Sequence, residues 1–221
     1  MRCVVFDLDG TLADTSGDLL AAANVCFRAE GHGDLLGPAD AGTALLGGRS
    51  MLRLGWDRIG RRYDEDVLTQ GYARLVAAYA LDIASHTRMY PGAIDAVKAL
   101  RAAGFATAIC TNKPEGLAES LMRELGLRHL FGALVGADTL PTRKPHAAPY
   151  VAAVERAGGV VGRSMLIGDT DTDRETARAA RVPVALVTFG PGGGKMAAME
   201  PDALLHHYDD LPELALRLLG S

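Results

Sequence analysis

Short apolar runs alternate with helix-forming stretches through most of this 221-residue chain, and this alternation restricts its fold more than any other feature. Five runs have the length and composition of buried strands. Strands that alternate with helices favour right-handed βαβ units, which build a parallel sheet covered by helices on both faces. The pattern therefore predicts an α/β fold. The candidate strands are Cys3–Phe6, Ala106–Cys110, Ala133–Val135, Met165–Ile167 and Val184–Val187.

Helical periodicity fills the segments that separate these strands. Gly104, Gly126 and Gly158 stand where three of the helices should end, because glycine readily adopts the left-handed conformation that follows a helix. The predicted helices are Pro91–Ala103, Glu115–Leu125, Ala147–Ala157, Thr172–Ala180 and Leu211–Leu219.

One segment, from about residue 15 to residue 86, interrupts the alternation because it contains no convincing strand. Leu19–Ala29, Ser50–Arg61 and Glu65–Ala84 each carry apolar residues at helical spacing. We therefore expect two domains. A small helical domain of residues 15–86 is inserted into an α/β core formed by residues 1–14 and 87–221.

Composition excludes several classes of partner. Hydrophobic residues make up 48% of the chain, which suits a packed core, and a net charge of -4 without a basic run argues against nucleic acid. No apolar run approaches the roughly 20 residues that span a bilayer, and the N-terminus lacks the apolar region of a signal peptide. Three widely spaced cysteines suggest buried thiols in a cytoplasmic protein. The chain could be a monomer or a homodimer.

Polar residues follow the predicted strands. In an open parallel sheet, function gathers at the carboxyl ends of the strands. Together these segments offer carboxylates, a small hydroxyl, backbone N–H groups and a lysine. The segments that follow strands are Asp7-Leu8-Asp9-Gly10-Thr11, Thr111-Asn112-Lys113-Pro114 and Gly168-Asp169-Thr170-Asp171-Thr172-Asp173. A fourth segment, Arg143-Lys144-Pro145, precedes a helix and comes third in chain order.

This set of side chains suits phosphoryl transfer. Converging carboxylates require a cation, and hard oxygen ligands suit Mg²⁺. A cation attracts phosphate, which hydroxyls, backbone N–H groups and a lysine also bind. An aspartate beside the metal can attack phosphorus and form an aspartyl-phosphate, while a second aspartate protonates the leaving oxygen and then activates water.

The four segments, in this order, closely resemble the motifs of the haloacid dehalogenase superfamily of phosphohydrolases. The resemblance covers almost the whole chain, including a helical cap inserted after the first motif. It implies a Rossmann-like parallel-sheet core with a small helical cap domain. It also implies a Mg²⁺ cofactor and a small-molecule phosphate ester as substrate.

The same resemblance implies a role for each motif residue. Asp7 would be the nucleophile, Asp9 the general acid and base, and Lys144 the cation that balances charge on Asp7 and the phosphate. The phosphate-binding residues would be Thr111, Asn112 and Gly10. The Mg²⁺ ligands would be the Asp7 side chain, the Asp9 backbone carbonyl and Asp169. Asp173 would be either a supplementary ligand or a residue that supports the ligands without touching the ion.

Finer details look like the phosphoglycolate phosphatase branch of that superfamily. TNKP at Thr111–Pro114, KPHAAPY at Lys144–Tyr150 and GGR at Gly47–Arg49 carry this likeness. It implies 2-phosphoglycolate as substrate, and Arg49 could pair bidentately with a carboxylate such as that of glycolate. Ala13 departs from the pattern, since a bulkier apolar residue is usual there.

Rival functions remain open. A dehalogenase would use the same nucleophile without metal and has no need of Asp9. A sugar phosphomutase, or a pyrophosphatase or nucleotidase, would share every core motif. A phospho-accepting regulator would need neither Asp9 nor a helical insert.

The glycine-rich run Gly190–Lys195 is not a P-loop. Three residues rather than four separate Gly190 from Gly194, and Met196 follows the lysine in place of Ser or Thr. We therefore expect a flexible loop at the end of the strand.

Overall fold

The structure, a computed structural model, describes residues 1–220 and divides into two compact units. Within the described residues, one unit consists of Met1–Asp14 and residues 89–220, and the other is Thr15–Arg88. The described residues form eight strands. They are β1 (Cys3–Phe6), β2 (Ala13–Asp14), β3 (Arg88–Met89), β4 (Ala106–Cys110), β5 (Ala133–Val135), β6 (Ser164–Gly168), β7 (Val184–Val187) and β8 (Ala203–Leu205).

Six of these strands form a parallel sheet in the order β5-β4-β1-β6-β7-β8, and β2 and β3 form a separate two-stranded sheet. All five predicted strands are present. The prediction missed the two-residue strands β2 and β3, and it missed β8, which pairs with β7 at the edge of the large sheet. Strand β8 has only three residues, Ala-Leu-Leu, and the first two of them are only partly buried, so its sequence shows no clear strand pattern.

Strand β1 lies at the centre of the sheet because its side chains are apolar and buried on both faces. Phe6, its last residue, is level with Ile109 of β4 and Ile167 of β6. The three strands therefore end together. The polar residues that follow them, including Asp7 and Asp169, are brought to one edge of the sheet.

The unit Thr15–Arg88 is helical. Its ends are joined by Asp18, whose buried carboxylate accepts hydrogen bonds from the backbone N–H groups of His86 (2.8 Å) and Thr87 (2.7 Å). Trp56 is fully buried in this unit. The helices are α1 (Ser16–Ala29), α2 (Ala41–Leu45), α3 (Gly48–Arg58) and α4 (Glu65–Leu81).

Five helices belong to the α/β unit, and each overlaps its predicted range. Tyr150, Ala153 and Val154 of one of them, α7, pack in a buried apolar cluster with Cys3 and Val5 of β1. None of the helices within residues 1–220 combines the length and apolar composition needed to cross a membrane. The five are α5 (Ala93–Ala102), α6 (Glu115–Glu124), α7 (Ala147–Arg156), α8 (Asp171–Ala180) and α9 (Leu211–Leu219).

The segment after β7 corrects one expectation. Gly193–Met199 forms a 3-10 helix instead of a flexible loop. Met196, which stands where a P-loop has Ser or Thr, is buried in the apolar cluster of the sheet. Burial of this side chain fixes the segment against the sheet, which is the physical reason that it forms a helical turn.

Candidate active site

Asp7 stands directly after β1 and is almost fully buried. One oxygen of its carboxylate, Oδ1, accepts a hydrogen bond from the N–H of Leu8 at 2.7 Å and lies 3.1 Å from the ammonium of Lys144. Burial raises the pKa of Asp7, and the charge of Lys144 opposes this rise. The carboxylates of Asp173 and Asp9 raise the pKa further, so that it lies at about 6. The group is therefore mainly ionised at neutral pH.

Lys144 lies between two carboxylates. Its Nζ is 2.6 Å from Oδ1 of Asp173 and 3.1 Å from Oδ1 of Asp7, and its side chain is 2% exposed. Burial by itself lowers the pKa of Lys144, but the two carboxylates outweigh that effect and hold the pKa above its ordinary value. Lys144 is therefore a permanent cation beside Asp7.

Asp173 connects Lys144 to the loop after β6. Its second oxygen, Oδ2, accepts hydrogen bonds from the N–H groups of Asp169 and Thr170 and from the Thr170 hydroxyl at 2.6 Å. Thr170 in turn caps α8, and its hydroxyl accepts a hydrogen bond from the N–H of Asp173. Both oxygens of the buried Asp173 carboxylate are thus engaged by this chain.

Asp169 is held by the loop after β1. The hydroxyl of Thr11 donates to its Oδ1 at 2.8 Å, and the buried Tyr208 donates its O–H to the carbonyl of Thr11 at 2.8 Å. Burial raises the pKa of Asp169 well above its usual range, and the charges of Asp173 and Asp7 act in the same direction, while Thr11 opposes them. An additional cation would stabilise this carboxylate.

The loop after β4 contributes two of the predicted phosphate ligands. Thr111 is buried, and its hydroxyl accepts a hydrogen bond from the N–H of Lys113 at 3.1 Å. Asn112 is exposed and donates its side-chain N–H to the carbonyl of Lys144 at 3.1 Å. This bond joins the second and third motifs. Contact of either side chain with phosphate stays a prediction.

Lys113 is a site residue to which the sequence reasoning assigned no role. Its side chain is 4% exposed, and its Nζ lies 2.7 Å from Oδ1 of Asp9. The residue is part of the TNKP motif, so the signal was present in the sequence. What the motif could not reveal is the direction of the side chain, which points to Asp9 rather than to solvent.

Gly10 allows the loop after β1 to turn, since its φ is 81°. Its N–H donates to the carbonyl of Ala13 at 2.8 Å, which closes the turn. A side chain at Gly190 would approach the Gly10 carbonyl to 3.1 Å, so the loop after β7 lies beside this turn. The structure gives Gly10 a role in the turn, and its contact with phosphate stays a prediction.

Arg49 lies in the first turn of α3, within the helical unit. Its guanidinium is 3.1 Å from a carboxylate oxygen of Glu65 and 3.1 Å from the hydroxyl of Thr69. It also lies over the ring of Tyr72, at 5.6 Å from the centroid. Arg49 therefore has partners on α4, and its pairing with a substrate carboxylate stays a prediction.

The three cysteines are buried and form no disulfide. Burial raises the pKa of Cys110, at the end of β4, to about 12. This thiol therefore stays protonated at neutral pH and is a poor nucleophile, although it lies near Asp7 and Lys144.

The donor set at this edge of the sheet fits a magnesium ion. Carboxylate oxygens of Asp7, Asp169 and Asp173 lie within 4.8 Å of one another, and all three residues are buried. Lys144 supplies one positive charge among three carboxylates, which leaves an excess of negative charge in a buried cluster. Hard oxygen donors with excess negative charge are what Mg²⁺ requires.

Comparison with known proteins decides the family. Residues 1–181 match the haloacid dehalogenase-like hydrolases. The chain belongs to this family. It is 38% identical to a phosphoglycolate phosphatase of Agrobacterium fabrum, over 98% of this chain and 94% of that protein. It is 37% identical to a phosphoglycolate phosphatase of Cereibacter sphaeroides (strain ATCC 17029), over the full length of both. The resemblance inferred from the motifs is thereby confirmed.

Solved structures confirm the fold. A predicted phosphoglycolate phosphatase from Haemophilus somnus superposes with a TM-score of 0.81 at 24% identity, over 97% of each chain. A Thermotoga maritima protein assigned as a β-phosphoglucomutase gives 0.72 at 20% identity, over 97% of this chain and 98% of that one. At these identities the likeness establishes the α/β fold alone. The fold does not distinguish hydrolysis from mutase chemistry.

Proposed function

We propose that this hydrolase is a Mg²⁺-dependent phosphatase of small phosphomonoesters that acts through an aspartyl-phosphate on Asp7. The substrate we propose is 2-phosphoglycolate, which gives glycolate and phosphate. The observation that carries the reaction is the position of Asp7, a buried carboxylate fixed by Leu8 and Lys144 among further carboxylates at the end of the central strand.

Asp7 is suited to attack phosphorus. Its Oδ1 is held by the Leu8 N–H and by Lys144, so we assign the attack to its other oxygen, Oδ2. With a pKa of about 6, the carboxylate is the main form at neutral pH and is ready to act as a nucleophile. Lys144 orients the group and balances part of the charge that the phosphoryl group brings.

The residues that would hold Mg²⁺ are Asp7, Asp169 and the backbone carbonyl of Asp9. The ion, when bound, offsets the repulsion between the nucleophile and the phosphoryl oxygens. Asp173 belongs to the same carboxylate cluster, but both of its oxygens accept hydrogen bonds, from Lys144 and from Asp169 and Thr170. We therefore propose that it supports the metal site by orienting Lys144 and the backbone of Asp169, and that Asp7 and Asp169 supply the carboxylate ligands.

Asp9 is the proposed acid and base. It would protonate the leaving alkoxide oxygen when Asp7 attacks, and then take a proton from the water that releases phosphate from Asp7. Thr111, Asn112 and Gly10, from the loops after β4 and β1, are the proposed ligands of the transferred phosphoryl oxygens. Catalysis then consists mainly of positioning and of charge stabilisation.

The substrate assignment rests on the relatives. Full-length similarity to several proteins named phosphoglycolate phosphatase, at 34–38% identity, supports 2-phosphoglycolate over other esters. Arg49 of the helical unit is our prediction for a ligand of the substrate carboxylate. The cytoplasmic setting is inferred from free buried cysteines. We expect neither nucleic acid nor membrane as a partner.

A substrate panel tests the proposal. Phosphate release is measured from 2-phosphoglycolate, hexose phosphates, nucleotides and pyrophosphate, each with Mg²⁺ and with a chelator. We expect the highest kcat/KM for 2-phosphoglycolate and no turnover in chelator. Turnover that survives the chelator would contradict the metal assignment. Preference for a hexose phosphate, with its isomerisation instead of phosphate release, would establish the mutase alternative.

A further inference from the structure

We propose that Lys113 binds the carboxylate of the substrate and thereby selects phosphate esters that carry a carboxylate on the carbon next to the ester oxygen. This inference rests on the proposed function, and it names the class of leaving group that the α/β unit recognises. It starts from the salt bridge between Lys113 and Asp9, the residue proposed as acid and base.

The two lysines of the site have different positions. Lys144 lies against Asp7 and Asp173, on the side of the nucleophile. Lys113 lies 2.7 Å from Asp9, the residue proposed to protonate the leaving oxygen. One ammonium therefore serves the phosphoryl end of the reaction and the other is located at the leaving-group end.

The backbone of Lys113 is fixed. Its N–H donates to the hydroxyl of Thr111 at 3.1 Å, and its carbonyl accepts from the N–H of Ala137 at 3.0 Å. The side chain is 4% exposed, so the ammonium is held in place and largely withdrawn from solvent. A buried cation of this kind binds an anion more strongly than an exposed lysine does, because less water competes for it.

Distance links this ammonium to the leaving group. Asp9 has to reach the ester oxygen within hydrogen-bonding distance in order to protonate it. In 2-phosphoglycolate a single carbon separates that oxygen from the carboxyl group. A carboxylate so close to Asp9 falls within reach of the cation that already contacts Asp9. The contact with Asp9 therefore places the Lys113 ammonium beside the position that the substrate carboxylate would take.

The test compares two substrates that differ in this carboxylate. 2-Phosphoglycolate carries it, and ethyl phosphate has a methyl group in its place. Both share the phosphoryl group and the same demand on Asp7 and Asp9. The ratio of kcat/KM for the two substrates therefore reports recognition of the carboxylate. If a substitution of Lys113 also disturbs Asp9, that effect is the same for both substrates and cancels in the ratio.

Lys113→Met should lower the preference for 2-phosphoglycolate over ethyl phosphate by roughly 10- to 100-fold, as expected for one hydrogen bond between charged groups. Most of the loss should appear in KM for 2-phosphoglycolate. Lys113→Arg keeps the charge and should restore a large part of the preference. Lys98→Met, on the exposed side of α5, is the matched control and should leave both substrates unchanged.

Two outcomes separate this inference from the function on which it rests. If the wild-type enzyme shows no preference for 2-phosphoglycolate, the proposed substrate fails and the role of Lys113 fails with it. If the wild type prefers 2-phosphoglycolate but Lys113→Met loses activity equally on both substrates, Lys113 only orients Asp9 and the inference is wrong. Should the methionine variant not fold, Lys113→Gln takes its place in the same comparison.

Discussion

Replacing Asp7 by asparagine should abolish turnover and at the same time stabilise the metal-free protein. Asparagine has the shape of a protonated carboxyl group but cannot ionise. The pKa of Asp7 is about 6, whereas an ordinary aspartate has 3.8, so the fold favours the neutral form of this side chain. Keeping Asp7 ionised therefore lowers the free energy of unfolding.

The magnitude follows from linkage. The two pKa values differ by about 2, and each unit corresponds to roughly 1.4 kcal/mol, so ionised Asp7 lowers the free energy of unfolding by up to about 3 kcal/mol. The sign follows from the raised pKa. The penalty is complete above about pH 6, because the group is then charged in both states, and it disappears as the pH falls toward 4. Asp7→Asn should therefore be more stable than wild type at pH 7.5 and nearly equal to it near pH 4.

Urea unfolding in EDTA, followed by circular dichroism at several pH values, measures this difference. Subtracting one protein from the other removes the contributions of groups that titrate equally in both. The exposed Asp95→Asn is the matched control for loss of a carboxylate outside the site and should retain turnover. A variant that is less stable than wild type at pH 7.5, or a difference that does not change with pH, would refute the reasoning about Asp7.

Three further predictions concern neighbouring groups. Asp9→Asn should slow the chemical step on the order of 10²- to 10⁴-fold while substrate binding persists, which presteady-state kinetics and equilibrium binding can separate. Because Asp7 and Asp169 both have raised pKa values, protons should compete with Mg²⁺ for these carboxylates. The rise in melting temperature caused by Mg²⁺ should therefore be larger at pH 7.5 than at pH 5.5. An equal rise at both pH values would contradict a carboxylate site. Gly168→Ala places a methyl group against the side chain of Asp173 and should displace it, together with the Lys144 ammonium that it binds, so kcat should fall. Unchanged kinetics would show that this packing has no catalytic importance.

The parts of the fold that could be predicted are those in which neighbouring residues carry the information. The residues of β1 are apolar and wholly buried, so the central strand was visible as a run, and the residues after it marked the edge where function gathers. Asp7 and Asp169 meet because β1 and β6 end at the same level, which is a general property of parallel sheets.

The parts that could not be predicted depend on side-chain direction and on distant contacts. The contact between Lys113 and Asp9 joins two loops, and nothing in the spacing of either loop indicates it. Tyr208 reaches the Thr11 carbonyl from the far end of the chain, out of a short 3-10 turn with no motif. Strand β8 has only three residues and becomes a strand by pairing with β7.

Trapping the covalent intermediate tests the central claim most directly. Enzyme mixed with 2-phosphoglycolate and Mg²⁺ is quenched during turnover and treated with borohydride, which reduces an aspartyl-phosphate to homoserine. Peptide mass spectrometry then locates the modified residue. We expect homoserine at position 7 in the wild type, a larger amount of it in Asp9→Asn because release of phosphate is slowed, and none in Asp7→Asn. Homoserine at position 9, or its absence from wild-type enzyme that is quenched while it turns over substrate at saturation, would contradict the assignment of Asp7 as the nucleophile.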